Sequence, residues 1–106
     1  MKKLFIAAVL AAASFSASAM TVRDCEYLGN FATAATLDRE NGFSAEETIN
    51  QVVRHRYKMS DPIFTASMLM IRSIHDSPAF QKETPFSLGR IYYDACMDRL
   101  EQEASK

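Results

Sequence analysis

The chain is short of the residues that build catalytic turns or hold ions. It has three glycines, two cysteines and two histidines in 106 residues. No G-x-S-x-G or phosphate-loop pattern occurs, so a nucleophile elbow and a phosphate cradle are not expected. A redox centre would show C-x-x-C, which is absent, and His55 and His75 offer no short-spaced zinc ligand set. The carboxylates are scattered, and none pair off as an acid/base couple. Cations are also in short supply: residues 20–106 carry 10 Lys and Arg against 13 Asp and Glu. Without a basic surplus there is nothing to neutralise phosphates, so nucleic acid is not an expected partner. No strand-period segment, internal repeat or low-complexity linker is present. No catalytic residue, no metal site and no cofactor is therefore expected.

The N-terminus is more informative. "MKKLFIAAVLAAASFSASAM" places Lys2 and Lys3 before an apolar run from Leu4 to Ala13, then closes with Ala17-Ser18-Ala19. This is the layout of a secretory signal peptide with a small-x-small cleavage site. A membrane span needs about 20 apolar residues and this run is about half that. A lipoprotein would need cysteine after the cleavage site, where Met20 stands. Residues 1–19 thus read as a bacterial leader to the periplasm or beyond. Residues 20–106 read as one small domain with no membrane span after processing.

Helix signals punctuate that domain. Val22, Cys25, Leu28, Ala32 and Ala35 share one face of a helix over 22–41, which Asn41-Gly42 stops. Ser44 and Glu47 form a capping box for a second helix, Ala45 to about Lys58, expected to bury Ile49, Val52, Val53 and Tyr57. Glu46 and Glu47 at its start, and Arg54, Arg56 and Lys58 at its end, match the macrodipole. Each proline follows a capping residue, in Asp61-Pro62, Ser77-Pro78 and Thr84-Pro85, and proline is tolerated in a first helical turn. These mark a third helix from Pro62 to about His75, a single turn at 78–82, and a fourth helix from Pro85 to about Glu103. The stripe expected on the last is Phe86, Gly89, Tyr93, Cys96 and Leu100. The fold class is all-α, a small four-helix bundle.

Cys25 and Cys96 both fall on apolar stripes. An even count in a small exported chain reads first as a disulfide. In an up-down bundle, the start of helix 1 and the second half of helix 4 come level, so the bridge would join those helices. The loop-entropy account gives a 71-residue closure about 4 kcal/mol, comparable to the whole stability of so small a domain.

Three surface questions stay open on sequence grounds. Met68, Leu69, Met70 and Ile71 are consecutive and point all around helix 3, so that helix is either packed on several sides or keeps an apolar face for a partner or a second copy. Tyr27 and Phe31, four apart on helix 1, and Tyr92 on helix 4 are either edge packing or protein-binding positions. The run "RHRYK" (54–58) is either a solvated helix end answering its dipole or a site for an anionic partner.

A signal peptide, about 90 mature residues, all helix and one long-range disulfide together resemble the HdeA-like acid-stress chaperones. The same layout is similar to periplasmic immunity proteins that neutralise type VI amidase effectors. The segment "CEYLGNFATAATLDRENGFSAEETI" (25–49) also resembles small exported bacterial proteins of unassigned function. These likenesses rest on architecture and transfer no functional residue. The resulting expectation is a non-enzymatic exported protein that binds protein, in the manner of an immunity protein or inhibitor. An acid-stress chaperone is the alternative of the same kind, and an envelope-acting enzyme the contrasting one.

The exported form is expected to begin at Met20. Intact-mass measurement of protein from the periplasm checks this, and a species retaining residues 1–19 would contradict it.

Overall fold

The computed structural model describes residues 21–104; the expected leader and the processing site lie outside the described residues. Four α-helices form the chain: α1 (Val22–Glu40), α2 (Ala45–Arg54), α3 (Asp61–Asp76) and α4 (Pro85–Ala104). Two single 3-10 turns, Arg56–Lys58 and Pro78–Phe80, follow α2 and α3. The described residues include no strand. None of their helices is long and apolar enough to cross a membrane. The all-α class is as expected, and so is the disulfide from the first helix to the last, with the Cα atoms of Cys25 and Cys96 5.4 Å apart.

Local chemistry explains most helix ends. Thr21 and Asp24 cap α1 reciprocally: the Thr21 hydroxyl accepts from the Asp24 N–H at 3.3 Å, and Asp24 accepts from the Thr21 N–H at 2.9 Å. At the other end Gly42 takes φ +84°. Its N–H donates to the Arg39 carbonyl at 3.1 Å, and the Phe43 N–H donates to the Asp38 carbonyl at 2.8 Å. This is the two-bond Schellman closure that a left-handed residue permits. The Ser44–Glu47 box forms as expected, with bonds of 3.3 and 3.1 Å. At Thr84-Pro85 the Thr84 hydroxyl accepts from the Ser87 N–H at 3.1 Å.

α1 is the element on which the others assemble. It packs against α4, α3 and α2, and α2 also packs on α3. Cys25 lies opposite Cys96 and Gly29 lies against Gly89 and Tyr93, so α4 runs antiparallel to α1. Their crossing is tight. A Cβ on Gly89 would overlap the Thr33 hydroxyl and approach the Gly29 carbonyl to 3.1 Å, and a Cβ on Gly29 would meet the Gly89 carbonyl at 3.0 Å. α3 runs parallel to α1 and is tied at both ends. The Asp24 carboxylate accepts from the Ser60 N–H at 3.3 Å. The Arg39 guanidinium donates to the carbonyls of Ile74 (3.1 Å), Phe80 (2.8 Å), Gln81 (3.4 Å) and Glu83 (3.2 Å). One arginine thus answers carbonyls left over at the C-terminus of α3 and in the turn beyond it, where backbone acceptors otherwise lack donors. Phe80, held by that grip, is fully buried.

Several expected details change. α2 leaves the α-helix at Arg54, and the turn that follows carries Tyr57 out to 80% exposure, with Val53 at 49%. Of α2, Thr48, Ile49 and Val52 are buried and Ala45 packs half-buried against the core, because a ten-residue helix packed along one edge presents a narrow stripe. Asp61, not Pro62, is the first residue of α3, and the Asp24 carboxylate takes the place of a local side-chain cap. On α4 the buried residues are Leu88, Gly89, Tyr92 and Cys96; of the expected stripe Gly89 and Cys96 are buried, Tyr93 and Leu100 are half-buried against the core, and Phe86 is 76% exposed. The disulfide and the Gly89 crossing set the rotation of α4. Val22 is also exposed.

The α1–α4 seam should be the fragile part of the domain. Gly89→Ala is expected to cost about 1–3 kcal/mol by overpacking, and Thr33→Ala in the same chain to recover part of it by removing the overlapped hydroxyl. Cys96→Ser is expected to cost about 2–5 kcal/mol. Urea denaturation measures all of these; a Gly89→Ala midpoint equal to that of the wild type would contradict the tight crossing.

Candidate functional site

The residues singled out from sequence separate clearly. Cys25 and Cys96 are fully buried and bonded to each other. Of the α3 quartet, Met70 and Ile71 are fully buried, Met68 is partly buried against the core, and Leu69 alone is exposed, at 37%. α3 therefore packs on two sides, against α1 and α2, and keeps an outer row of Asp61, Thr65, Leu69, Arg72 and Asp76. That row is polar except for Leu69, so a broad apolar face is not there. Tyr92 is a core residue, its ring 6.3 Å from that of Phe80, and its hydroxyl finds no hydrogen-bond partner. Burial pushes its phenol well above the ordinary value. Tyr92, Met70 and Ile71 are not available to a partner on this surface.

Tyr27 and Phe31 are placed differently. Their rings stack 6.1 Å apart at 17° on the half-exposed side of α1. The end of α2 extends that ledge: the Phe31 ring lies 6.2 Å from His55. His55 Nδ1 sits 2.9 Å from the Gln51 carbonyl, which can only accept, so that nitrogen carries a proton. Beyond it the Arg56 guanidinium lies 4.3 Å over the Phe64 ring of α3 and pairs with Asp61 at 3.6 Å. Lys58 lies 5.4 Å from the Tyr57 ring. Residues 53–58 are all exposed. Three helices thus contribute to one aromatic and cationic surface: Tyr27 and Phe31 from α1, 53–58 from the end of α2, and Phe64 from α3. The sequence marked Tyr27, Phe31 and the basic run separately. Phe64 was not marked, and nothing local signals that it would meet Arg56.

A second polar cluster centres on the buried Thr48, with Asp38 and His75 half-buried around it. Thr48 donates to the Asp38 carboxylate at 2.6 Å, and His75 Nε2 approaches the same hydroxyl at 3.5 Å. α1, α2 and α3 meet at this hydroxyl. Thr48 is fully buried and its proton is committed to Asp38, so the arrangement holds helices together and does not activate a nucleophile. Burial lowers the pKa of His75 below 6.5, with Arg39 acting the same way; the carboxylates of Asp38, Asp76 and Glu46 pull against them. On the outer side of the α1–α4 crossing lies a shallow groove of about 620 Å³, lined by Glu26, Asn30, Phe86, Arg90 and Tyr93 among others. No group of three or more His, Cys, Asp or Glu side chains among the described residues is placed to hold a metal.

No protein-family model, curated protein or solved structure matches the chain.

The His75 cluster makes the stability pH-dependent with a defined sign. The folded-state pKa is lowered, so below pH 6.5 the unfolded chain takes up a proton that the folded chain resists. The contribution of His75 is complete above pH 6.5 and is lost as pH falls through the folded value. Urea midpoints should fall from about pH 7.5 to about pH 5.5, and His75→Gln should flatten that part of the profile. An unchanged slope in the variant would contradict the assignment.

Proposed function

We propose that this chain is an exported, non-enzymatic helical protein, a small four-helix bundle that works by binding another protein in the manner of an immunity protein or inhibitor. The observation that carries this reading is the ledge formed by Tyr27, Phe31, His55, Arg56, Tyr57 and Phe64. Tyrosine and arginine are over-represented among the residues that dominate protein–protein binding, and aromatic side chains are enriched at interfaces. Here they are gathered from three helices onto a frame locked by a disulfide. Side chains already held against one another lose little freedom on binding, which favours affinity. The disulfide is compatible with an oxidising compartment, which suits the periplasmic or secreted location read from the leader.

An acid-stress chaperone is the second reading. The observation in its favour is the His75–Thr48–Asp38 cluster at the only place where α1, α2 and α3 share hydrogen bonds among the described residues. Loosening of that cluster in acid would release the short α2 first.

The two readings divide in one experiment. Immobilised protein is presented to periplasmic extract at neutral and at acid pH, beside an Arg56→Ala, Tyr57→Ala double variant that alters exposed side chains of the ledge. A binding protein should retain one partner in a one-to-one complex at neutral pH, and the double variant should bind it at least about tenfold more weakly with an unchanged melting temperature. Retention of many proteins at acid pH only would favour the chaperone and defeat the first reading.

A further inference from the structure

The ledge also carries the chemistry of what it would bind. Residues 21–104 contain nine Lys and Arg and thirteen Asp and Glu. Arg54, Arg56 and Lys58 put three of those nine cations into one exposed run, with Asp61 paired to Arg56, leaving six cations and twelve carboxylates for the rest of the described residues. The domain is thus strongly polarised: a small positive spur on a negative body. The spur is not a plain charge cluster. Arg56 lies over Phe64, Lys58 lies beside Tyr57, and His55 lies beside the Phe31–Tyr27 stack, so two of the three cations and the imidazole each have a ring next to them. Val53 adds an exposed apolar side chain one turn before Tyr57.

We infer that the 53–58 spur with Phe31 and Phe64 docks an acidic segment of a protein partner, one whose carboxylates flank an aromatic side chain. Carboxylates meet Arg54, Arg56 and Lys58, and the partner's aromatic ring joins the rings of Phe31, Tyr57 and Phe64. Charge complementarity selects this occupant over an anionic membrane. A short segment touches only the spur. An extended anionic surface would also face the carboxylate-rich body, in a molecule only 42 × 32 × 20 Å across, and be repelled by it. Asp61, paired with Arg56, lies at the edge of the spur and is the one carboxylate a partner must displace or share. This inference rests on the protein-binding reading and names the chemistry of the partner at that same surface.

The test uses the purified, disulfide-bonded protein and a soluble random copolymer of glutamate and tyrosine, with a lysine–tyrosine copolymer as the control. Amide chemical shifts are followed during titration, and affinity is measured at low and high salt. The glutamate–tyrosine copolymer should shift residues 53–58, Phe31 and Phe64, bind more weakly as salt rises, and leave the α1–α4 groove unmoved. Arg54→Glu and Lys58→Glu should each weaken it about tenfold, because reversal removes an attraction and adds a repulsion, each worth up to about fivefold at an exposed site. Both positions are exposed, and unchanged melting temperatures confirm that only the surface has altered. Three results overturn the inference: no shifts at the spur, equal binding of the lysine–tyrosine copolymer, or affinity unaffected by either reversal. Stronger binding to phosphatidylglycerol vesicles than to the copolymer, lost in the same variants, also overturns it and assigns the spur to a membrane. If extract yields a one-to-one partner while the copolymer fails, the acidic-segment inference falls alone. If the copolymer binds at the spur while no partner is retained, the site stands and the immunity-like function falls.

Discussion

The close crossing of α1 and α4 is the constraint from which the rest of the molecule follows. Gly29 and Gly89 leave no room for a Cβ between the two backbones, and the Cys25–Cys96 bridge holds the helices in that register. Once α4 is pinned to one side of α1, its rotation is determined. Leu88, Tyr92 and Cys96 turn inward, and Phe86 is left in solvent. The cost of that rotation is visible in the Tyr92 hydroxyl, buried without a partner. Such a group is tolerated where the ring's packing outweighs the lost hydration.

α3 is held differently. Its apolar face packs on α1, but its ends are tied by charged side chains of α1: Asp24 at the start, and Arg39 at the finish and the turn beyond. Charge-assisted bonds to backbone groups are stronger than neutral ones. Both are made by residues inside one rigid helix, so α1 sets the length and the tilt of α3 together. α2 is tied to a charged side chain of α1 at one point, where the Thr48 hydroxyl donates to the Asp38 carboxylate. It contributes Thr48, Ile49 and Val52 to the interior and an exposed Arg72–Glu46 pair at its side. The shortest of the four helices is also the one whose end carries the aromatic and cationic surface.

Helix existence and helix ends were legible in the sequence because their signals are local. The Ser44–Glu47 box, the Asn41-Gly42 stop and the proline starts act through hydrogen bonds three to five residues apart, or through φ at a single residue. The bridge was legible because an even cysteine pair on two apolar stripes has one sensible pairing. Of the candidate surface, Tyr27, Phe31 and the basic run were visible, each as an isolated feature.

What the sequence by itself determined is therefore the all-helical class, the four helices to within a few residues, and the Cys25–Cys96 link. The tertiary structure alone decided that Leu88 and Tyr92 join Gly89 and Cys96 in the interior of α4 while Phe86 does not, that Met70 and Ile71 turn inward, that Arg39 closes α3, and that Phe64 joins Phe31 and Arg56. The reason is one of range. Helix phase against a neighbour is set by steric contact between residues such as Thr33 and Gly89, and the Arg39 bonds span 35 to 44 positions in the chain. Periodicity within a helix shows that one face is apolar, but where four consecutive residues are apolar it does not show which of them the partner helices will cover.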